Sequence, residues 1–127
     1  MENYIQEALF VSAYINKTWP NKFKVIVKEP HGIPLRELFT EPTNKGLKHI
    51  WKFGSVDVVV YKNDKLIAGF EPGGSQHFQD KKQMLNDRRK WKLFDLNGVK
   101  CFRYVNGLLE KLSNRQRRNL IGRFLFS

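Results

Sequence analysis

The chain is poor in the residues that staple or metallate small domains: 127 residues hold one cysteine, two methionines and three histidines. A single cysteine, Cys101, excludes an internal disulfide and a cysteine-built zinc site, and it suits a reducing compartment. Because Cys101 sits in an apolar strand-like stretch, it reads as a packed thiol and not as a nucleophile. No signal peptide is seen, nor any apolar run long enough to cross a bilayer, so a cytoplasmic protein is expected. Acids are scarce as well. Twelve Asp and Glu stand against 23 Lys and Arg, a formal net charge of +11, which points to a polyanion, most simply nucleic acid. A membrane surface fits less well, because no basic helix with a clean apolar face stands alone. Repeats and low-complexity segments are absent too. What is present is core material: 41% apolar and 13% aromatic residues are enough for a folded globule, and the length suits one domain, residues 1–127.

The most informative stretch runs from Val56 to His77. It reads as two apolar strands around a polar turn, with Asp57 opening the first and Glu71 closing the second. Strand residues alternate faces, so register decides whether the acids meet. A two-residue Asn63-Asp64 loop would put them on opposite faces. A three-residue loop, Asn63 to Lys65, sets Asp57 across from Glu71, and pairs Val58 with Phe70, Val60 with Ala68, Val56 with Pro72 and Tyr61 with Ile67. That register gives one wholly apolar face, so the hydrophobic pattern favours it. Opposed carboxylates roughly 5 Å apart at Cβ repel unless a cation or proton lies between them. They are read as a divalent-metal site; the plainer alternative is a surface hairpin whose acids face water.

Elsewhere, Glu2 to about Lys17 has helical periodicity through Tyr4, Ala8, Val11 and Ile15, and Pro20 closes it. Glu7 lies beside that stripe, either as a solvated acid or as a third acid directed at the Asp57/Glu71 site. Phe23 to Lys28 alternates like a strand. Glu29 to Gly46, with three prolines and two glycines, reads mostly as loop, with one helical turn near Ile33 to Phe39. Lys45, Lys48, His49, Trp51 and Lys52 suit phosphate contact and stacking, or else form a strand with one wet face. His31 and His49 have no ligand-spaced partners. Asp80-Lys81-Lys82-Gln83 has capping-box spacing for a helix that Asn97-Gly98 stops. On it Met84, Asp87, Arg88, Trp91 and Phe94 share a face, so Asp87 either pairs with Arg88 or orients His77 or a bound water. Val99 to Val105 reads as a strand carrying Arg103. Residues 107–127 read as a basic helical segment with Arg115, Arg117, Arg118 and Arg123.

The order of helix with Glu7, strand, strand with Asp57, strand with Glu71, helix and strand resembles the restriction-endonuclease-like core of the PD-(D/E)XK nuclease superfamily. Val56-Asp57, then Phe70-Glu71-Pro72-Gly73-Gly74-Ser75-Gln76-His77-Phe78, Asp87-Arg88-Arg89, and Gly98-Val99-Lys100-Cys101-Phe102-Arg103-Tyr104 are most similar to its very-short-patch-repair (Vsr)-like branch. That branch includes homing endonucleases with a Glu-Asp-His-Asp site. The resemblance spans roughly Glu7 to Tyr104. It implies an α/β fold: a mixed central β-sheet flanked by helices in α-β-β-β-α-β order, with a core of about residues 4–105. It implies a metal-dependent DNA endonuclease, the cleavage domain of a homing or repair enzyme, acting on double-stranded DNA and served by a separate sequence-reading domain or partner. Asp57 and Glu71 would be ligands for Mg²⁺, or Mn²⁺ in its place, with the Pro72 carbonyl beside them. Glu7, His77 and Asp87 would complete the catalytic set, and Gln76, Lys81, Lys82 and Arg88 would hold phosphates. One position departs: Gly73 stands where the superfamily has lysine or aspartate, leaving His77 as the substitute base. That departure favours the alternative, a catalytically inactive nucleic-acid-binding module on the same fold.

Overall fold

The computed structural model describes residues 2–28, 31–73 and 81–126, with side chains from Glu7 onward. A long first helix, α1 (Glu2–Thr18), leads into strand β1 (Lys24–Val27). The stretch read as loop holds a two-residue strand β2 (Ile33–Pro34), the single-turn helix α2 (Leu35–Leu38) and the start of helix α3 (Lys45–Phe53). Lys45 to Lys52 is therefore helix, not strand. Asn44 caps it by accepting from Gly46 N–H at 2.7 Å, and Leu47 and Ile50 put one stripe into the core. Strands β3 (Ser55–Val56), β4 (Val58–Lys62) and β5 (Lys65–Gly73) follow, then α4 (Lys81–Leu96), β6 (Lys100–Val105), α5 (Leu108–Lys111) and α6 (Asn114–Phe126).

The main sheet has the order β1-β4-β5-β6; β1, β4 and β5 run antiparallel and β6 runs parallel to β5. A separate β2-β3 ribbon pairs Ile33 with Val56, so Val56 leaves the main ladder and the expected Val56/Pro72 pair does not form. Two cores follow from strand alternation. Val58, Val60, Ala68 and Phe70 face α1, α5 and α6, while Val56 and Val59 join Leu35, Leu47, Leu93 and Phe94 on the α2, α3 and α4 side. The architecture is thus mixed α/β, with a mixed central sheet between two helical layers.

The hairpin departs from the expected turn yet reaches the expected register. Its loop is two residues long: Asn63 (φ 52°) and Asp64 (φ 63°) both lie in the left-handed region, as a type I′ turn requires. The ladder then shifts between Val60 and Tyr61, pairing Tyr61 with Leu66 and Val60 with Ala68, so Ile67 is the unopposed residue. The expected Tyr61/Ile67 pair is replaced by this bulge, and Ile67 packs towards the α1 side. The bulge restores Val59 to Gly69 and Val58 to Phe70. Asp57 stands at a bend between β3 and β4, next in line to face Glu71.

Candidate active site

Glu71 shares a sheet face with Gly69, whose lack of a side chain admits the Phe94 ring: a Cβ there would lie 2.9 Å from it. That face meets α4. The buried stripe of α4 is Asp87, Lys90, Leu93 and Phe94, not the neighbouring Met84/Asp87/Arg88/Trp91 stripe; Arg88 and Trp91 are exposed. Lys90 Nζ donates to Glu71 Oε1 at 2.6 Å and to the Ser55 carbonyl at 2.7 Å. From β6, in register with Glu71, Arg103 sets one guanidinium nitrogen 3.1 Å from Glu71 Oε2 and its Nε 2.9 Å from Asp87 Oδ2. Gln83 Nε2 donates to the other Asp87 oxygen at 3.4 Å. Asp87 thus pairs with Arg103 rather than with Arg88.

Asp57 forms no such hydrogen bond or ion pair among the described residues, and its environment shows in its ionisation. Burial, then the charge of Glu71, pushes its carboxyl up from 3.8 to about 6, with Lys90 and Arg103 acting in the opposite sense. Among the described residues, Glu71 and Asp87 share the cations of Lys90 and Arg103, while Asp57 forms no ion pair. Gly32 closes over this acid. Its φ is +81°, and a Cβ on it would sit 2.8 Å from the Val56 carbonyl oxygen and 3.4 Å from Asp57 Oδ1. Gly32→Ala is expected to cost about 1–3 kcal/mol through strain and clash and to displace Asp57. Unchanged urea denaturation would contradict it.

Glu7 belongs to a different neighbourhood. It is 2% exposed, so it is not the solvated acid of a stripe edge. Burial, then a hydrogen bond and the charge of Glu110, raise its carboxyl from 4.5 to about 7, against the Gly107 backbone and Arg117. Tyr104 lies between the two neighbourhoods: burial, then the charges of Glu7 and Asp57, push its hydroxyl up. A carboxyl raised in the folded state stabilises the fold most below its unfolded pKa, and that contribution is lost as pH climbs through the folded value. Glu7 therefore favours folding at pH 4.5 and loses that benefit by pH 7 to 8. Glu7→Gln is expected to raise the melting temperature at pH 8 relative to wild type and to flatten the decline from pH 5. A wild-type Tm that does not fall over that range would contradict it.

The remaining sequence candidates divide. Glu71 and Asp87 meet through Arg103, and Asp57 lies near enough to Glu71 to feel its charge; Lys81, Lys82 and Arg88 lie exposed along α4. Lys48 pairs with Glu41 at 3.6 Å on the surface, and Trp51 donates its indole N–H to the Phe39 carbonyl at 2.8 Å, which ties its ring to the α2-α3 core. Pro72 is buried beside Tyr104. His77, Gln76 and the capping residue Asp80 lie outside the described residues. Cys101 is a packed thiol, as expected, pushed up to about 12 chiefly by burial. Lys90 was not singled out by sequence, although it stands three residues from Asp87 and from Leu93.

Among the described residues no three His, Cys, Asp or Glu side chains form a group that could hold a metal ion. A two-carboxylate Mg²⁺ site is a smaller demand, since that ion keeps several waters. Asp57, unpaired among the described residues, could offer one carboxylate to such a site, with Glu71 as the neighbouring acid. No described helix is long and apolar enough to cross a membrane. Comparisons with protein-family models, curated proteins and solved structures find no match to the chain.

Proposed function

We propose that this protein is a metal-dependent DNA endonuclease built on a restriction-endonuclease-like fold. The observation that carries the reading is the pairing at the end of the hairpin: Glu71 and Asp87 are held by Lys90 and Arg103, while Asp57, beside Glu71, has no ion-pair partner among the described residues and a carboxyl raised to about 6. Asp57 would be the principal Mg²⁺ ligand, with Glu71 and the Pro72 carbonyl beside it. The bound ion supplies Lewis-acid polarisation of the scissile phosphate and a more acidic water. Lys90 is a positioning residue, holding Glu71 in one orientation from α4. Arg103 does the same from β6 and locks Asp87. His77 would take the proton of the attacking water or return one to the leaving oxygen. Lys81, Lys82 and Arg88, along with the net charge of +11, supply the phosphate contacts that make binding to double-stranded DNA steeply salt-dependent.

The test is incubation of supercoiled plasmid with the protein and Mg²⁺ or Mn²⁺. Nicking that a chelator prevents is expected; intact plasmid under all conditions would overturn the reading. A catalytically inactive nucleic-acid-binding module is the second reading. The observation in its favour is that both Glu71 oxygens already face cations, at 2.6 and 3.1 Å. It predicts salt-sensitive DNA binding without cleavage.

A further inference from the structure

A basic cleft of about 580 Å³ lies between α1 and α6, apart from the Asp57 cluster, with Phe10, Tyr14, Lys17, Asn114, Arg117 and Arg118 in its lining. That volume is in the range of small-ligand pockets, about 300–1,000 Å³. Phe10 and Tyr14, one helical turn apart, hold their rings nearly parallel, 23° between planes and 6.4 Å between centroids. The Arg117 guanidinium lies 5.0 Å from the Phe10 centroid and 5.4 Å from that of Tyr14.

Arg117 is unusually fixed for a surface arginine. Its Nε donates to the Leu109 carbonyl at 2.8 Å, and one terminal nitrogen donates to Leu112 at 2.9 Å and Glu110 at 3.3 Å. These bonds satisfy the last carbonyls of α5 and the residue after it. They also engage the donor edge that would grip a carboxylate or phosphate in bidentate fashion. What remains is flat: the outer plane of a guanidinium laid over two half-buried rings, already ordered in the free protein. Flat π and guanidinium surfaces are what unstacked bases bind. Point charges for a phosphate stand nearby, since Lys17 and Arg118 are exposed at the rim.

We propose that the α1-α6 cleft binds an unstacked base of single-stranded nucleic acid, stacked against the Phe10/Tyr14/Arg117 wall with its flanking phosphate on Lys17 and Arg118. An acidic peptide would match the charge but leave the flat wall unused. This site rests on residues other than those of the proposed cleavage centre, and it stands whether or not the protein cuts DNA.

The test compares the full chain's affinity for a short fluorescent oligothymidylate and for the same strand with abasic sugars, by anisotropy. Wild type is expected to prefer the base-bearing strand about tenfold, from the usual worth of one stacked base. Tyr14→Leu, which keeps apolar bulk, should erase most of that preference. Lys17→Ala with Arg118→Ala, both exposed, should weaken both strands alike and lower the magnitude of the salt slope by about 1.4. Equal wild-type affinity for the two strands overturns the proposal, as does a preference that survives in Tyr14→Leu. Competition by polyglutamate as effective as that of the oligonucleotide overturns it in favour of an acidic peptide. Asp57→Asn should leave the base preference intact, which separates this site from the cleavage centre.

Discussion

Asp57→Asn is expected to lower Mg²⁺-dependent cleavage by roughly 10³-fold or more, because the carboxylate oxygen that would ligate the ion is replaced by a neutral amide. Folding should survive. Burial and the neighbouring Glu71 make the charged form of Asp57 costly, raising its carboxyl to about 6, so the neutral amide should be tolerated or slightly stabilising near pH 7. The sign follows from linkage. A carboxyl raised from 3.8 to about 6 favours the fold below pH 3.8, and that contribution is gone above pH 6. Cleavage should run the opposite way, rising with pH up to about 6, since only the ionised acid holds a cation. Metal binding would pull that midpoint down. The measurement is the single-turnover nicking rate between pH 5 and 8 for both proteins, with DNA affinity measured in parallel. Near-wild-type cleavage by Asp57→Asn would remove Asp57 from the mechanism.

Lys90→Met is expected to be the most destabilising substitution in the cluster. It deletes a buried ammonium that holds two oxygens at 2.6 and 2.7 Å, and leaves Glu71 with Arg103 as its remaining ion-pair partner among the described contacts. Breaking a buried pair from one side costs about 3–5 kcal/mol, and the retained Arg103 contact at 3.1 Å puts the expected loss near the lower end. Adding Glu71→Gln should recover part of that loss, because the second change removes the stranded charge; a coupling of about 0.5–3 kcal/mol is the usual size. Urea denaturation of wild type, both single variants and the double variant measures it. A Lys90→Met loss under about 1 kcal/mol would show that the lysine does not support Glu71.

Much of this arrangement was legible in the chain. The alternation of Val58, Val60, Ala68 and Phe70 predicted the hairpin register, and the structure keeps that register by a route the pattern did not contain. The left-handed pair Asn63-Asp64 sets a tight turn, and Ile67 bulges to realign the acids. Hydrophobic pairing specifies which faces must match, but not which residue absorbs the mismatch. The buried face of α4 is rotated slightly from the stripe that periodicity predicts. Arg88 and Trp91 looked like members of the Asp87 stripe, whereas the helix turns Lys90 and Leu93 inward. A lysine on the inward face is visible only once a buried acid is known to await it, and Glu71 comes from a strand 19 residues earlier. The Glu7–Glu110 contact was likewise out of reach, because it joins the two ends of the chain through the packing of α5 against α1. Arg117, by contrast, read only as one of several basic residues. Its place in the cleft depends on which carbonyls α5 leaves open.

The central claim is that Asp57 and Glu71 together form the seat of one divalent cation. Calorimetric titration of Mn²⁺ into the DNA-free protein tests it most directly, independently of catalysis. Wild type should bind one ion, with affinity lost in Asp57→Asn, weakened in Glu71→Gln and unaffected by Tyr14→Leu. Equal Mn²⁺ binding by wild type and Asp57→Asn, or none by either, would contradict it.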